Sequence, residues 1–281
     1  MTGPGGTADP RTSFAVTYLT AGLAVVSRDM QLFFSYRFRW ISQLLQLILS
    51  LTLFFYISRL LQTGAPGAAD DYYAFAVVGI VVLQVLTATM GLMPIALRQE
   101  LVAGTFERLV VSPFGALGSV ASMTVFPFLS NLVIGTGAIA FAAAVFGLPL
   151  EWSTAALSLP IAALAGLNFA PFGILLASAV IAVKQAGAGT TYVITFFSLV
   201  GGFFFPVALL PGSIQWLSEV QPFTPTLDLL RHVLVGAPLR EEAMLSVMKL
   251  AIFPLVLLPL SAYVLGSAMR LTRRRGTIAE Y

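Results

Sequence analysis

Six long stretches of this sequence contain no charged residue, and they constrain the fold more than any other feature. A helix needs about 20 apolar residues to cross the hydrocarbon core of a bilayer, because each residue adds only about 1.5 Å. The stretches therefore predict an all-α membrane protein with six transmembrane helices, at about 40–60, 72–96, 119–146, 154–182, 187–209 and 249–270.

The composition agrees with a membrane location. Hydrophobic residues make up 58% of the 281 residues and charged residues only 10%, whereas a soluble domain carries about 25% charged residues. Such a small number of charges cannot cover a water-facing surface. Most of the surface is therefore expected to face lipid.

Two of the uncharged stretches need further argument. The stretch 109–150 begins with a turn at 112–115, and we place one span in it, at 119–146. Two spans there would give seven in total and put the arginines after residue 270 outside; whether the stretch also holds a re-entrant turn stays open. In the stretch 187–209 and just beyond it, Phe205-Pro206 and Leu210-Pro211 predict a broken end.

The distribution of basic residues predicts the orientation. With the N-terminus inside, the cytoplasmic segments hold eleven basic residues and the outer segments four. Because cytoplasmic loops carry the excess of Lys and Arg, both termini are expected in the cytoplasm. The cytoplasmic set is Arg11, Arg28, Arg37, Arg39, Arg98, Arg108, Lys184, Arg270, Arg273, Arg274 and Arg275, and the outer set is Arg59, Arg231, Arg240 and Lys249.

The N-terminal region divides into a tail and a helix. Residues 1–13 are rich in Gly and Pro and predict a disordered tail with no signal peptide, which leaves 14–281 as one transmembrane domain. In 14–39, Arg28, Gln31, Ser35 and Arg39 follow one another at helical spacing. This pattern predicts an amphipathic helix in the inner interface, with its arginines toward anionic head groups; a frayed tail is the alternative.

Several classes of function are disfavoured by the residues that are missing. The spans lack the ionisable groups with which proton- and ion-coupled carriers work. The chain has one histidine, His232, and no cysteine, so we expect no metal, no catalytic residue and no bound cofactor. A P-loop needs Gly-Lys before Ser or Thr, but Lys184 follows Val183 and Lys249 follows Met248. The chain is therefore not expected to be an enzyme, and any energy must come from a partner.

The strongest local signal is the segment 98–113, which predicts a cytoplasmic helix at about 98–111 with two faces. Gly104 lies midway along the polar face, where a partner surface could approach closely, and Glu107 follows one turn later. Physics alone leaves two readings open: a helix that enters a groove on a soluble partner, or a solvated loop helix. The apolar face holds Leu101, Val102, Thr105, Phe106, Leu109 and Val110, and the other holds Glu100, Ala103, Gly104, Glu107 and Arg108.

This segment resembles the characteristic cytoplasmic loop of ABC-2 type transporter permeases. In that family an acid, Gly-Thr, Glu-Arg-Leu and a Pro recur, and they stand here as Glu100, Gly104, Thr105, Glu107, Arg108, Leu109 and Pro113. A second likeness surrounds the end of the fifth span, at 205–206, 210–211, 216–217, 222–225 and 228–231. The Gly-Thr-Glu-Arg-Leu pattern leans toward the daunorubicin-resistance-type branch.

The resemblance implies an assembly and a mechanism. Two such chains, identical or similar, pair in the plasma membrane, as in a bacterial inner membrane. Each binds one ATP-binding subunit, which holds the ATP and Mg, through a coupling helix. The implied coupling residues are Glu100, Gly104, Thr105, Phe106, Glu107 and Arg108.

The segment 206–248 is too broken and too charged to form one buried helix. Its prolines predict short helices that enter the outer leaflet and turn back, on the dimer side or against a cavity. Asp228 and Arg231, three residues apart, are expected to pair as a structural link, with a substrate role as the lesser alternative. The residues singled out in this re-entrant segment are Pro206, Pro211, Trp216, Asp228 and Arg231.

The predicted function is that of a permease subunit in an ATP-driven exporter for a lipophilic or amphipathic substrate, such as a drug, lipid or glycolipid. Spans without charge favour an apolar, aromatic pathway, although phenylalanines that face lipid are the commoner case. An ATP-independent carrier or channel and a non-transporting scaffold remain alternatives. The candidate lining residues are Phe196, Phe197, Phe203, Phe204 and Phe205.

Overall fold

The computed structural model describes residues 27–28, 30–31, 35, 37–60, 68–105, 115–183 and 188–274, and these residues form helices, turns and loops without a strand. Two 3₁₀ turns, Ala155–Leu157 and Val207–Leu209, accompany the α-helices. The described α-helices are α1 (Arg37–Leu60), α2 (Ala68–Val102), α3 (Gly115–Phe146), α4 (Ser158–Val183), α5 (Ala188–Val200), α6 (Gly212–Val220), α7 (Phe223–Val235) and α8 (Ala243–Arg274).

Five helices in the described part are long and apolar enough to cross a membrane. They match five of the six spans predicted from the uncharged stretches. The apolar segments are Trp40–Leu60, Asp70–Val102, Ser122–Phe146, Ala155–Ile181 and Ala243–Leu271.

The sixth predicted span, at 187–209, is not confirmed, although its predicted broken end is observed. Here α5 has only 13 residues, which at 1.5 Å each gives roughly 20 Å, against about 30 Å for the hydrocarbon core. The helix ends at Val200 because Gly201 and Gly202 follow, and each Gly costs a helix about 1 kcal/mol relative to Ala. Pro206 then prevents the helix from resuming. The absence of charged residues therefore predicted correctly that this segment is apolar, but it did not predict where the helix ends.

Helix α2 is the centre of the bundle. About 72% of its most apolar 18-residue stretch is buried, against 17% for the corresponding stretches of α1 and α8. Three clusters of buried side chains hold the molecule together, and α2 contributes to each of them. The other long helices therefore pack around α2 and leave their outer faces to the surroundings.

The two ends of the bundle can be told apart by which helix termini meet there. At one end, which we call the upper end, α1 finishes and α2 begins, and Arg59 Nη2 lies 3.3 Å from Asp70 Oδ1. The loop after α3 and the C-terminus of α7 also meet there, since the Glu151 N–H donates to the Leu234 carbonyl at 2.9 Å. At the lower end, buried residues from the C-terminal parts of α2, α4 and α8 share one cluster.

The short helices after α5 occupy the upper half of the bundle. Helix α5 runs antiparallel to α2, because Thr190 lies near Gly91 and the Phe203 carbonyl lies against Gly79. Helix α7 then begins deep in the bundle, where the Phe223 ring lies 5.4 Å from that of Phe169. It ends at the upper end, beside the loop before α4. The chain thus turns at depth and returns to the upper end before α8 descends.

The predicted interfacial helix at 14–39 is described only in part. Ser27, Arg28, Met30, Gln31 and Ser35 are helical, and the Ser35 hydroxyl donates to the Gln31 carbonyl at 2.7 Å. Residues 37–39 belong to α1 instead, so the first long helix begins earlier than the sequence predicted. The predicted tail, residues 1–13, lies outside the described residues.

We predict that Gly79→Ala destabilises the fold whereas Gly137→Ala does not. A Cβ at Gly79 would lie 1.9 Å from the Phe203 carbonyl oxygen and 2.9 Å from Arg231 Nη2, so α2 and the turn after α5 would have to separate. Overpacking of this kind costs about 1–3 kcal/mol. Gly137, inside α3, has nothing within 4 Å of a built Cβ and serves as the matched control. Thermal unfolding of the two purified variants in detergent tests this, and equal midpoints would contradict the close approach.

Candidate functional site

Consecutive carbonyls after α5 are bonded by side chains from α6 and α7. The Ser218 hydroxyl donates to the Val200 carbonyl at 2.8 Å, and the Thr224 hydroxyl donates to the Gly201 carbonyl at 3.3 Å. Arg231 Nη2 donates to the carbonyls of Gly202 and Phe203, at 2.9 and 3.1 Å. A helix that ends inside an apolar bundle leaves carbonyls without partners, and water is scarce there. These donors make the broken backbone at 200–203 tolerable.

Arg231 is the most connected of these donors. Its side chain is only 3% exposed, its Nε also donates to the Phe75 carbonyl at 3.2 Å, and its guanidinium lies 3.4 Å from the centroid of the Phe75 ring. Arg231 therefore ties α7 to both α2 and the turn after α5. Guanidinium suits this task because its donors lie in one plane and its face can stack on a ring.

Asp228 and Arg231 attract each other electrostatically but do not form the direct ion pair that their spacing suggested. Within the described part of the chain no ion pair of 4 Å or less joins them, because the guanidinium of Arg231 turns inward to the carbonyls. Asp228 instead lines a polar pocket together with Arg240 and Lys249. A spacing of three residues predicts that the two side chains lie near each other on one helix. It does not predict which groups of neighbouring helices each side chain will contact.

The remaining residues singled out in the re-entrant segment delimit its short helices. Pro206 precedes the 3₁₀ turn Val207–Leu209, and Pro211 stands directly before α6. Trp216 lies on the outer face of α6 and is 57% exposed. None of these three touches the carbonyls at 200–203 in the described contacts, so their part is to shape the chain.

The five candidate lining phenylalanines do not form one surface. Phe203 is fully buried, and Phe197 packs in the same core with its ring 4.8 Å from that of Phe223. Phe204 stacks on Phe54 of α1, Phe205 is half-buried, and Phe196 is 48% exposed. An open groove of about 60 Å³ lies elsewhere, between α2, α3, α4 and α7, and valines and leucines line most of it.

At the lower end, α2 closes with a well-defined cap. The Gly104 N–H donates to the Leu101 carbonyl at 3.2 Å and the Thr105 N–H to the Glu100 carbonyl at 3.1 Å. With Gly104 at φ +68°, these two bonds make a Schellman motif, in which a left-handed glycine ends the helix. The prediction of one helix across 98–111 with Gly104 at its middle is therefore wrong: α2 extends to Val102 and stops. Glycine is favoured here by its positive φ, since nothing lies within 4 Å of a built Cβ.

Glu100 connects three parts of the chain at this cap. Its carboxylate accepts a short hydrogen bond from the Thr105 hydroxyl. This bond holds residues 103–105 against the last helical turn of α2. The other carboxylate oxygen lies 3.5 Å from Arg28 Nη1, in the segment before α1. The sequence singled out Glu100 and Thr105 for the coupling surface without indicating that they bond each other.

The other predicted coupling residues, Phe106, Glu107 and Arg108, lie outside the described residues, and their roles stay predictions. The described part contains no group of three or more His, Cys, Asp or Glu side chains that could hold a metal ion. The donors Ser218 and Thr224 were missed by sequence reasoning, as was Gly79. Hydroxyls and a glycine in an apolar stretch give no signal of a particular partner.

Two comparisons with known proteins bear on this arrangement. The family model described as ABC-2 type transporter matches residues 20–235 of the chain. A segment of 105 residues is 33% identical to Nodulation protein J of Rhizobium meliloti (strain 1021). This segment is 37% of the present chain and spans 39% of the length of that relative. The family match includes both the cap at Gly104 and the donors at 218–231.

We predict that Arg231→Met lowers the free energy of unfolding. Methionine fills a similar space but donates no hydrogen bond, and each buried carbonyl left without a donor costs about 1–3 kcal/mol. Arg231→Lys should recover part of the loss, since an ammonium donates but neither forks nor stacks. Arg240→Met, at an exposed position of the following loop, is the control and should change little. Thermal unfolding in detergent measures all three variants. An Arg231→Met protein as stable as the control would show that the hydrogen bonds of Arg231 do not stabilise the turn after α5.

Proposed function

Because the chain belongs to the ABC-2 type transporter family, we propose that it is the permease subunit of an exporter driven by a separate ATP-binding chain. Family membership makes the protein a component of a membrane transporter, and the five long apolar helices make it a multi-pass membrane protein. The proposal adds the energy source, the direction of transport and the class of cargo.

The observation that carries the proposal is the cap at the end of α2. The bundle's central helix stops at Gly104, and Glu100 and Thr105 hold the chain in a fixed turn as it leaves. The segment 106–113, with the pattern resembling the family's coupling loop, begins directly after this turn. A soluble subunit that moved this segment would act on the central helix through hydrogen bonds that are already formed.

The source of energy is proposed to be the partner subunit. The 281 residues contain no Gly-Lys-Ser or Gly-Lys-Thr sequence, and a P-loop needs one to hold phosphates. We propose that two copies, or this chain and a similar one, bind two ATP-binding subunits at the lower end. That end would then face the cytoplasm, in agreement with the excess of basic residues assigned to that side.

A lipophilic or amphipathic cargo fits the surface of the bundle. The long helices expose apolar side chains along most of their outer faces. The open groove between α2, α3, α4 and α7 is lined largely by valines and leucines and has few polar groups. Apolar cargo could reach such surfaces from within the bilayer, whereas an ion or a sugar would find no charged residue in the groove.

The first prediction concerns assembly. Co-expressed with its ATP-binding subunit, the chain should co-purify in a stable complex, and the complex in liposomes should hydrolyse ATP and export fluorescent amphiphiles. A P-loop lysine variant of the ATP-binding subunit is the control and should assemble without activity. If the purified chain alone moves the amphiphiles at the same rate, the proposal is wrong and an ATP-independent carrier is favoured.

The second prediction concerns the cap and the coupling segment. Asn tolerates a positive φ, whereas the β-branched Val does not. Gly104→Asn should therefore retain binding of the ATP-binding subunit, and Gly104→Val should weaken it or uncouple hydrolysis from transport. Glu107→Ala should also weaken binding of the ATP-binding subunit, because the hydrogen-bond donor of that subunit would remain buried without its acceptor.

These variants need a control for membrane insertion, since a misfolded chain would also fail to bind. Membrane abundance of Gly104→Val and Glu107→Ala should match that of the unmodified chain. Equal loss of binding in Gly104→Asn and Gly104→Val would instead show that the partner requires space at this position. Normal binding and transport in both Gly104→Val and Glu107→Ala would remove the segment from the mechanism.

A further inference from the structure

The open groove between α2, α3, α4 and α7 has its mouth between α3 and α4. Thr136 of α3 and Leu159 of α4 line the groove and are exposed, whereas the residues that α2 and α7 contribute are all buried. Helices α2 and α7 therefore form the floor, and the mouth opens on the outer surface of the bundle. The floor residues are Val78, Val81, Val82, Val85, Leu230 and Leu234.

The groove is closed at its lower end. There the ring of Phe128 in α3 reaches α4, since two of its carbons lie 2.5 and 2.6 Å from a Cβ built at Gly166. Phe169, which is fully buried, lines the groove within one helical turn of Gly166. A molecule can therefore enter the groove from the side, but it cannot pass through the groove toward the lower end.

The groove is about as long as one leaflet of a bilayer is thick. On α4 its lining extends from Ser158, at the upper end, to Phe169, which at 1.5 Å per residue is roughly 16 Å. Half of the hydrocarbon core measures about 15 Å. Trp152, just before α4, is 77% exposed, and tryptophan favours the level of the lipid head groups. One hydrocarbon chain of the upper leaflet therefore matches the groove in length.

The walls of the groove offer van der Waals contact but no hydrogen bond. The two hydroxyls that line it already donate to nearby carbonyls: Thr136 donates to that of Leu132 at 2.9 Å, and Ser158 to that of Ala155 at 2.6 Å. No charged residue lines the groove. Its occupant is therefore hydrocarbon, which gains contacts that an empty groove would lack. Such packing is one of the forces that associate apolar groups within a bilayer.

We propose that the open groove binds one acyl chain of a phospholipid from the upper leaflet, as a fixed part of the folded protein. The bound chain covers Leu230 and Leu234 of α7 together with the valines of α2. It thereby strengthens the link between these two helices that Arg231 makes through the Phe75 carbonyl.

A phospholipid is the occupant rather than cargo for two reasons. The mouth is continuous with the surface of α3 and α4 that faces lipid, so acyl chains surround it at all times. The closed lower end also gives cargo no route across the protein. The inference does not rest on the proposed export function, because it concerns binding by the full chain alone.

Binding is measured on the full chain purified in digitonin, a detergent with a rigid steroid in place of an alkyl chain. The probe is a phosphatidylcholine that carries a photoreactive diazirine in its palmitoyl chain. Labelling should saturate at one lipid per protein chain, because the groove has room for one acyl chain. Mapping of the labelled peptides should place the probe at groove positions such as Val85 and Ala165.

Two neighbouring positions of α4 provide a matched pair of variants. Ala162 lines the groove, whereas Ala163 is exposed outside it. Ala162→Phe puts a ring into the groove and should abolish the saturable labelling, and Ala163→Phe should leave it unchanged. Added phosphatidylcholine should raise the unfolding midpoint of Ala163→Phe, as it does for the unmodified chain, more than that of Ala162→Phe. Leu159→Trp, at the exposed mouth, is a second blocking variant if Ala162→Phe does not fold.

Several results would overturn the proposal. Labelling that never saturates, or that persists in both blocking variants, would show that the groove holds no bound chain. The protein has no cysteine of its own, so a disulfide-linked dimer of Leu159→Cys in oxidised membranes would show that a second copy covers the mouth. In the assembled complex, release of the probe during ATP hydrolysis would assign the groove to cargo. Failure of the lipid site leaves the export function untouched, since assembly and ATP hydrolysis are measured separately.

Discussion

A broken helix inside an apolar bundle must find hydrogen-bond donors for its free carbonyls, and the upper half of this protein is arranged around that need. At 200–203 the donors are the hydroxyls of Ser218 and Thr224 and the guanidinium of Arg231. Each donor lies on a short helix, so α6 and α7 are held where their side chains reach the break. Bilayers tolerate irregular backbone only when protein or water satisfies it, and here the protein itself does so.

Helix α2 carries this arrangement to the other end of the molecule. Near its start, Gly79 lets the Phe203 carbonyl and Arg231 approach the backbone, and at its end Gly104 turns the chain away in a left-handed cap. One continuous helix therefore links the re-entrant unit to the turn that leads into the coupling segment. A motion applied to that turn has a direct mechanical path to the bonds of Arg231, and the proposed export mechanism requires such a path.

Predictions from the sequence were confirmed where they depend only on consecutive residues. The need for apolar length located five spans, and the Gly-Thr-Glu-Arg-Leu pattern identified the family that the comparison then showed. At 187–209 the predicted broken end is present, but the described residues form a helix of 13 residues followed by a turn, so a sixth span is not confirmed. The spacing of Asp228 and Arg231 suggested a direct ion pair that is not formed; spacing on one helix does not reveal which of several neighbouring groups each side chain will reach. The cap at Gly104 was read as helix, since glycine occurs both within helices and after them.

The sequence by itself determined that the chain is an all-helical membrane protein, where five long helices lie, and which family it belongs to, because burial in lipid and a local motif are properties of consecutive residues. The tertiary structure alone decided which donors satisfy the carbonyls at 200–203, why position 79 must be glycine, and that Asp228 lines a polar pocket with Arg240 and Lys249. These features join residues that are far apart in the chain. Their partners are selected by packing geometry, and no local pattern of residues encodes them.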